Sequence, residues 1–190
     1  MTYELGVDVS AWQLPEKVDW RKLRDEANVR FVIARHAFGL QVDSTFWRHG
    51  WGAMRAGGLL LSGYQYFVPN RSAAEQASLA LQVAKQLDQH YVLDVEAVGL
   101  TRKHVDEWLT VFTRSGLTPM VYCSRSSWRQ CYGTGAHAWG HLPLWVANYT
   151  TAAAPAMPDG WNDWAIWQFT SKGQLAGFRG DLDCNRRKIP

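Results

Sequence analysis

Short apolar runs of strand length alternate along the chain with segments in which apolar residues recur at helical spacing. The apolar runs predict eight strands, at residues 5–9, 30–36, 59–67, 91–96, 120–123, 144–147, 164–169 and 182–184. The helical spacing predicts helices at residues 19–28, 44–55, 72–87 and 101–114, the first capped by Asp19 and the third by Ser72. After residue 120 helical spacing is scarce, so the second half should contain mostly strands and loops.

Strands that alternate with helices pair in parallel, because each right-handed crossover returns the chain in the same direction. About eight such strands suggest a closed barrel. The chain has 190 residues, whereas a typical (β/α)8 barrel has about 250. We therefore predict an α/β fold, an irregular TIM-barrel-like barrel with about five helical crossovers at most, that occupies residues 1–190 as a single domain.

Composition narrows the class of protein. Hydrophobic residues make up 47% and charged residues 19%, which excludes a disordered chain. No apolar run approaches the roughly 18 residues of a membrane span. The net charge of +3 is small and scattered, so it gives nucleic-acid binding little support. Three cysteines without C-x-x-C spacing argue against a disulfide framework or a zinc knuckle.

Four acidic residues fall in the predicted strands where chemistry is expected in a barrel, at the carboxyl ends of the strands. They are Asp8 in the first strand, Asp94 and Glu96 in the fourth, and Asp183 in the last. Asp94 and Glu96 are two residues apart, so on a strand they share one face with Cα atoms roughly 6.5 Å apart. Such a pair could also cap the following helix, and a lone D-x-E occurs by chance in many proteins.

Repulsion between these two carboxylates should raise a pKa and so favour acid catalysis. Two carboxylates about 5 Å apart repel by roughly 3 kcal/mol at an effective dielectric constant near 20, which is about two pKa units. Glu96 would then keep its proton near neutral pH and could give it to a leaving oxygen. This is the general acid that cleavage of a glycosidic bond requires.

Aromatic residues are abundant, with 11 Trp and 7 Tyr. Their flat apolar faces and polar edges suit sugar rings, although a Trp-rich core is the alternative. Trp47, Trp51 and Met54 have the i, i+4, i+7 spacing of a core-facing helix stripe. Six other aromatic residues lie near predicted strand ends and are candidates for substrate binding: Trp12, Tyr64, Tyr66, Trp145, Tyr149 and Trp167.

In these residues the chain resembles the glycoside hydrolase family 25 lysozymes, or N-acetylmuramidases. The resemblance covers almost the whole chain, from about residue 6 to residue 185, and its specificity comes from the order of its segments. These are GVDVSAWQ at 6–13, VDW at 18–20, FVIAR at 31–35, GYQYF at 63–67, LDVE at 93–96, LWVANY at 144–149, WQFTS at 167–171 and DCN at 183–185.

The resemblance implies a flattened, irregular β/α barrel with an acidic groove and no metal or cofactor. It implies hydrolysis of the β-1,4 bond between N-acetylmuramic acid and N-acetylglucosamine in peptidoglycan. Carried over by position, Glu96 is the general acid and Asp94 orients or stabilises the 2-acetamido group of the substrate. Asp8 and Asp183 are acids of the groove that tune Glu96 or hold the sugar, and Tyr64 lies beside the acetamido group.

The sequence leaves the stereochemical course open. We favour assistance by the acetamido group of the substrate, because no further acid stands in an obvious nucleophile position, but inversion is also compatible with the residues. Two residues depart from the family pattern: Gln65 stands where His is frequent, and His36 where a small residue is common. We expect both to affect packing more than chemistry, with Gln65 facing away from the lumen.

The resemblance also indicates partners and setting. We expect a monomer that acts on peptidoglycan glycan strands of the bacterial cell wall, with neither a nucleic-acid nor a membrane partner. The chain shows neither a secretory leader nor wall-binding repeats, so it fits an endolysin released by phage lysis machinery or the trimmed catalytic part of an exported enzyme. Two alternatives are a glycan-binding barrel without activity and a chitinase-like hydrolase.

Overall fold

The computed structural model describes residues 2–189, apart from the side chains of Met54 and Arg55. Its helices and strands alternate through the first two thirds of the chain, and strands dominate the last third. In chain order they are β1 (Tyr3–Val9), α1 (Trp20–Asp25), β2 (Val29–Phe38), β3 (Gln41–Val42), α2 (Phe46–Ala56), β4 (Leu60–Tyr66), α3 (Ala73–Ala84), β5 (Val92–Asp94), α4 (Arg102–Thr113), β6 (Met120–Ser124), α5 (Arg125–Tyr132), β7 (Leu144–Ala147), β8 (Ile166–Gly173) and β9 (Leu182–Lys188).

The strands close into a barrel in the order β1-β9-β8-β7-β6-β5-β4-β2, with β2 pairing back onto β1. The short strand β3 pairs only with the last two residues of β2. The predicted irregular α/β barrel of eight strands is therefore confirmed. Helices connect successive barrel strands from β1 to β7, whereas β7 reaches β8 through the loop at residues 148–165.

The last strand differs from the prediction. The barrel strands β1, β2 and β4 to β8 pair in parallel with their neighbours, whereas β9 runs antiparallel to both β1 and β8. Only residues 174–181 separate β8 from β9, too few for the dozen or more residues of a parallel crossover. Strand β9 also extends to Lys188, four residues past the predicted end at residue 184. The prediction ended early because the second half of the strand is polar and shows no apolar run.

Local signals set the helix boundaries. Asp19 caps α1 by accepting a hydrogen bond from the Lys22 backbone N–H at 3.1 Å, and Ser72 caps α3 by accepting one from the Glu75 N–H at 3.2 Å. Helix α5 was not predicted, since Trp128 is the one buried residue in its eight positions and no apolar stripe marks it. None of the helices in residues 2–189 is long and apolar enough to cross a bilayer.

The core has layers inside and outside the barrel. Two clusters pack the helices against the outer face of the sheet, and a third fills the lumen with Phe31, Ile33, Val92, Met120, Tyr122, Trp145 and Ile166. Gly6 faces this filling, because a Cβ there would lie 2.3 Å from the ring of Phe31. This third cluster fills the middle of the lumen and separates the two ends of the barrel, each of which has a cavity.

The predicted stripe on α2 is partly wrong. Trp47 packs against both outer clusters, but Trp51 is 53% exposed. The side chain of Met54 lies outside the described residues. The cysteines Cys123, Cys131 and Cys184 are unpaired in the structure.

Candidate active site

The barrel brings the four predicted acids to one end. Asp8 is the second-last residue of β1, and its cross-strand partner is Asp183, the second residue of β9. Asp183 reaches the carboxyl ends of the parallel strands because β9 is antiparallel and begins there. The sequence had placed it at a strand end, but its place at the start of a reversed strand is what brings it beside Asp8.

The other two acids, Asp94 and Glu96, lie at the carboxyl end of β5 and just beyond it. Asp94 is its last residue, and β5 is shorter than predicted, so Glu96 lies two residues beyond it. The Val95 N–H still donates to the Tyr122 carbonyl oxygen at 2.9 Å, which keeps the chain extended towards Glu96. A cavity of about 200 Å³ collects these side chains, lined by Asp8, Tyr64, Asp94, Glu96, Tyr122, Trp145, Tyr149, Gln168 and Asp183.

Asp8 is held by a buried amide network. Its Oδ2 accepts hydrogen bonds from Gln168 Nε2 at 2.9 Å and from Asn185 Nδ2 at 2.8 Å. Gln168 in turn accepts from the hydroxyls of Tyr122 and Tyr149, each at 2.9 Å. These contacts fix the Asp8 carboxylate and the two phenols relative to one another, so one wall of the cavity is rigid.

Burial and mutual repulsion raise the pKa values of the acids. For Asp8, burial raises the pKa first and the charge of Asp183 second, while the amides of Asn185 and Gln168 oppose both. The pKa of Asp183 is raised to about 6, mainly by burial. The site therefore holds protons at a pH where exposed carboxyls have lost them.

Asp94 is the most buried of the four acids. Burial raises its pKa well above the usual value, and the charges of Glu96 and Asp8 add to this, against the opposing charge of Arg35. Its Oδ1 is buried and has no hydrogen-bond partner among the described residues. An unpaired buried carboxylate oxygen is costly, so Asp94 is an acceptor available to a ligand.

Glu96 is solvent-exposed at the mouth of the cavity. Its pKa is raised by partial burial and then by the charge of Asp183. The sequence predicts that repulsion between Asp94 and Glu96 raises a pKa within this pair. In the structure the charge of Glu96 raises the pKa of Asp94, and the charge of Asp183 is the one that acts on Glu96.

The predicted aromatic residues separate into three groups. Tyr64, Trp145 and Tyr149 line the cavity. Tyr66 lies above Tyr64 on the same face of β4, stacked on Phe38 at the rim, and Trp12 is 85% exposed and outside the cavity.

Trp167 does not belong to the site, which corrects the prediction. Gln168 points into the lumen, so its neighbour Trp167 points outward. There Trp167 is buried, and its indole N–H donates to the Asn148 carbonyl oxygen at 2.7 Å.

Sequence reasoning missed Gln168, Asn185 and Tyr122 as site residues. Strand alternation offered a signal for Asn185, which lies two residues after Asp183 and so shares its face. Tyr122 and Gln168 reach the site because they pair across strands with Asp94 and Asn185. No local sequence pattern reveals the register of these pairs.

The two departures from the family pattern contribute to packing, as predicted. Gln65 points out of the lumen, donates to the Gly39 carbonyl oxygen at 2.8 Å and accepts from the Trp108 indole N–H at 2.8 Å. His36 is buried, with its Nδ1 2.8 Å from the Tyr91 hydroxyl. Both side chains tie β2 and β4 to the layer outside the barrel.

A larger cavity of about 870 Å³ opens at the opposite end of the barrel. It includes none of the four acids, and its charged residues Arg187 and Lys188 pair with Glu4 and Asp163. Chemistry in barrels of this type occurs at the carboxyl ends of the strands. The smaller acidic cavity is therefore the candidate active site.

Comparison with known proteins places this geometry in context. The family model "Glycosyl hydrolases family 25" matches residues 7–178. Among curated proteins, the chain is 35% identical over 196 residues to "Uncharacterized protein YegX" of Escherichia coli (strain K12), covering 95% of this chain and 68% of that protein. It is 26% identical over 200 residues to Lysozyme M1 of Streptomyces globisporus, covering 95% of this chain and 66% of that protein.

Solved structures show the same fold. A muramidase from Trichobolus zukalii superposes with a TM-score of 0.82 at 25% identity, covering 98% of this chain and 94% of that chain. The bacterial lysozyme from Streptomyces coelicolor gives a TM-score of 0.84 at 23% identity, covering 100% and 94%.

Proposed function

The chain belongs to glycosyl hydrolase family 25 and is a glycosidase of the lysozyme type, and from this premise we propose that Glu96 is its general acid and peptidoglycan its substrate. The bond cleaved is the β-1,4 bond between N-acetylmuramic acid and N-acetylglucosamine. The observation that carries the proposal is the convergence of Asp8, Asp94, Glu96 and Asp183 on one small cavity.

Glu96 suits the acid step because its carboxyl group is reachable and its pKa is raised. Its carboxyl group is at the cavity mouth, where a bridging oxygen of a glycan strand can approach it. Its raised pKa keeps the proton available at a higher pH than an ordinary glutamate would. Transfer of this proton to the bridging oxygen accompanies rupture of the bond from that oxygen to the anomeric carbon, so that the aglycone leaves as an alcohol.

Asp94 suits the acetamido group of the substrate, and Tyr64 lines the same cavity. The buried Oδ1 of Asp94 lacks a partner among the described residues and can accept the acetamido N–H. With the group so held, its carbonyl oxygen attacks the anomeric carbon as the aglycone leaves. Glu96, now a carboxylate, takes a proton from a water molecule, and the resulting hydroxide opens the cyclic intermediate and regenerates the acetamido group.

Asp8 and Asp183 set the charge of the pocket. The amides of Gln168 and Asn185 fix Asp8 in place. The charge of Asp183 helps Glu96 to keep its proton. In this proposal the two acids tune the general acid and border the sugar, while proton transfer itself belongs to Glu96.

Mass spectrometry of digested peptidoglycan tests the proposed function. Fragments that end in reducing N-acetylmuramic acid support it, and fragments that end in reducing N-acetylglucosamine contradict it. Binding to wall fragments without new reducing ends would instead favour a glycan-binding barrel. Faster cleavage of chitin oligomers than of peptidoglycan would favour a chitinase-like hydrolase.

The pH profile should depend on Asp183. Activity falls on the alkaline side as the pH rises through the pKa of Glu96, because the general acid loses its proton. Asp183→Asn removes the negative charge that raises this pKa, so the alkaline limb of kcat/KM should move to lower pH. The measurement is kcat/KM on solubilised glycan strands across the pH range.

The matched control is Asp181→Asn, which neutralises an exposed acid on the same segment. We expect its alkaline limb to stay in place. If Asp183→Asn leaves the limb unmoved, or if Asp181→Asn moves it equally, Asp183 does not tune Glu96.

A further inference from the structure

Exposed apolar side chains of the described residues are concentrated around the catalytic end of the barrel. Those on the loops and strand ends there are Trp12, Phe38, Leu40, Val42, Val98 and Tyr149. The cavity below them, at about 200 Å³, is smaller than the roughly 300–1,000 Å³ of pockets that enclose a drug-sized ligand. A glycan strand bound there must therefore extend across this rim.

One part of the rim is an aromatic platform, formed by Phe38 and Tyr66. Their rings stack with centroids 4.7 Å apart and planes 5° from parallel. The two residues are partners at the ends of β2 and β4. Phe38 remains 48% exposed, so the stack leaves an open apolar surface.

The platform borders the acids. Tyr66 is the cross-strand partner of Asp94, one rung above the cavity residue Tyr64. Burial and the charges of Asp94 and Glu96 raise the pKa of the Tyr66 phenol, which agrees with this proximity. A ligand leaving the cavity past Glu96 on this side meets Tyr66 and Phe38 next.

The hairpin that carries Phe38 is held in place. Gly39 turns the chain with a φ of +57°, and its N–H donates to the Tyr66 carbonyl oxygen at 2.8 Å. Its own carbonyl oxygen accepts from Gln65 Nε2, which Trp108 anchors from the other side. Arg35 adds a further contact, with its guanidinium carbon 6.0 Å from the centre of the Phe38 ring.

These contacts restrict the positions that the hairpin and the Phe38 ring can adopt. A flat surface fixed in advance binds a ring-shaped ligand without losing side-chain entropy. Sugar rings offer apolar C–H faces that match an aromatic face, and their hydroxyls can reach the Tyr66 phenol.

We propose that the Phe38–Tyr66 platform is a subsite for the sugar ring adjacent to the one held in the acidic cavity. The inference rests on the proposed function, since it assigns a second ring of the same glycan strand. The platform adds binding energy that the ground state and the transition state share. Its loss should therefore raise KM and leave kcat nearly unchanged.

The test compares Phe38→Ala with the wild-type enzyme on solubilised peptidoglycan glycan strands. KM should rise about tenfold, the equivalent of one lost stacking contact, while kcat stays within about twofold. Phe38→Trp keeps a flat ring and should restore KM. Trp51→Ala removes a comparably exposed aromatic ring from α2 that does not line the acidic cavity, and it should leave KM and kcat unchanged.

Phe38→Leu guards against misfolding, because it keeps apolar packing at the hairpin but lacks a planar face. It should reproduce the KM defect of Phe38→Ala at an unchanged melting temperature. The inference is overturned if both variants fold and their KM values stay within twofold of the wild type, or if the defect lies in kcat. A wild-type enzyme that releases no muramic acid ends would instead overturn the proposed function.

Discussion

Replacing Glu96 by glutamine should lower kcat about 10²–10⁴-fold, the usual contribution of a positioned general acid. Glutamine keeps the size of the side chain and its ability to donate a hydrogen bond, but it has no proton to transfer. The bridging oxygen would then leave as an alkoxide, which is a far poorer leaving group. The measurement is the rate of release of reducing ends from peptidoglycan, with the variant and the wild type at equal concentration.

The fold should survive this substitution. Glu96 is exposed, it makes no hydrogen bond to another side chain in residues 2–189, and its charge disfavours ionisation of Asp94. The melting temperature of Glu96→Gln should therefore equal or slightly exceed that of the wild type. Glu107→Gln is the matched control, since Glu107 is an exposed glutamate on α4. It should keep full activity, and a Glu96→Gln variant that still lyses walls at the wild-type rate would refute the assignment.

Strand alternation alone predicts the inward direction of three of the four acids. Asp8 follows Gly6 on the inner face of β1, and the Asp94–Glu96 spacing points both side chains the same way, so these positions depend on local pattern. The position of Asp183 in the site depends instead on the direction of β9. That direction follows from the short connection after β8, which a pattern of apolar residues does not reveal.

The remaining differences arise from pairing between distant segments. Gln168 and Asn185 reach Asp8 across 160 and 177 residues of sequence, and only closure of the barrel brings them together. The sequence predicts Trp167 as a site residue because its segment lies near a strand end, yet the choice between inward and outward faces depends on register. The same applies to Phe38, whose partner Tyr66 lies on another strand.

Asp94→Asn should show a conflict between stability and activity. The pKa of Asp94 in the folded protein is raised well above its ordinary value of 3.8. Between these two values the native state binds a proton that the unfolded chain has lost. The free energy of unfolding therefore falls as the pH rises, by about 1.4 kcal/mol per pH unit for one such group. Asparagine cannot ionise, so the variant loses this part of the pH dependence.

Denaturant unfolding at pH 4 and pH 7 measures this contribution. The wild type should lose stability between the two values, and Asp94→Asn should lose less, so that the variant is the more stable protein at pH 7. Its kcat should fall about 100-fold, the scale of losing one group aimed at charge that develops in the transition state. Asp181→Asn should follow the wild type in both measurements. An Asp94→Asn variant with the wild-type pH dependence of stability would contradict the raised pKa of Asp94, whereas a variant with the wild-type kcat would contradict the acceptor role of its buried oxygen.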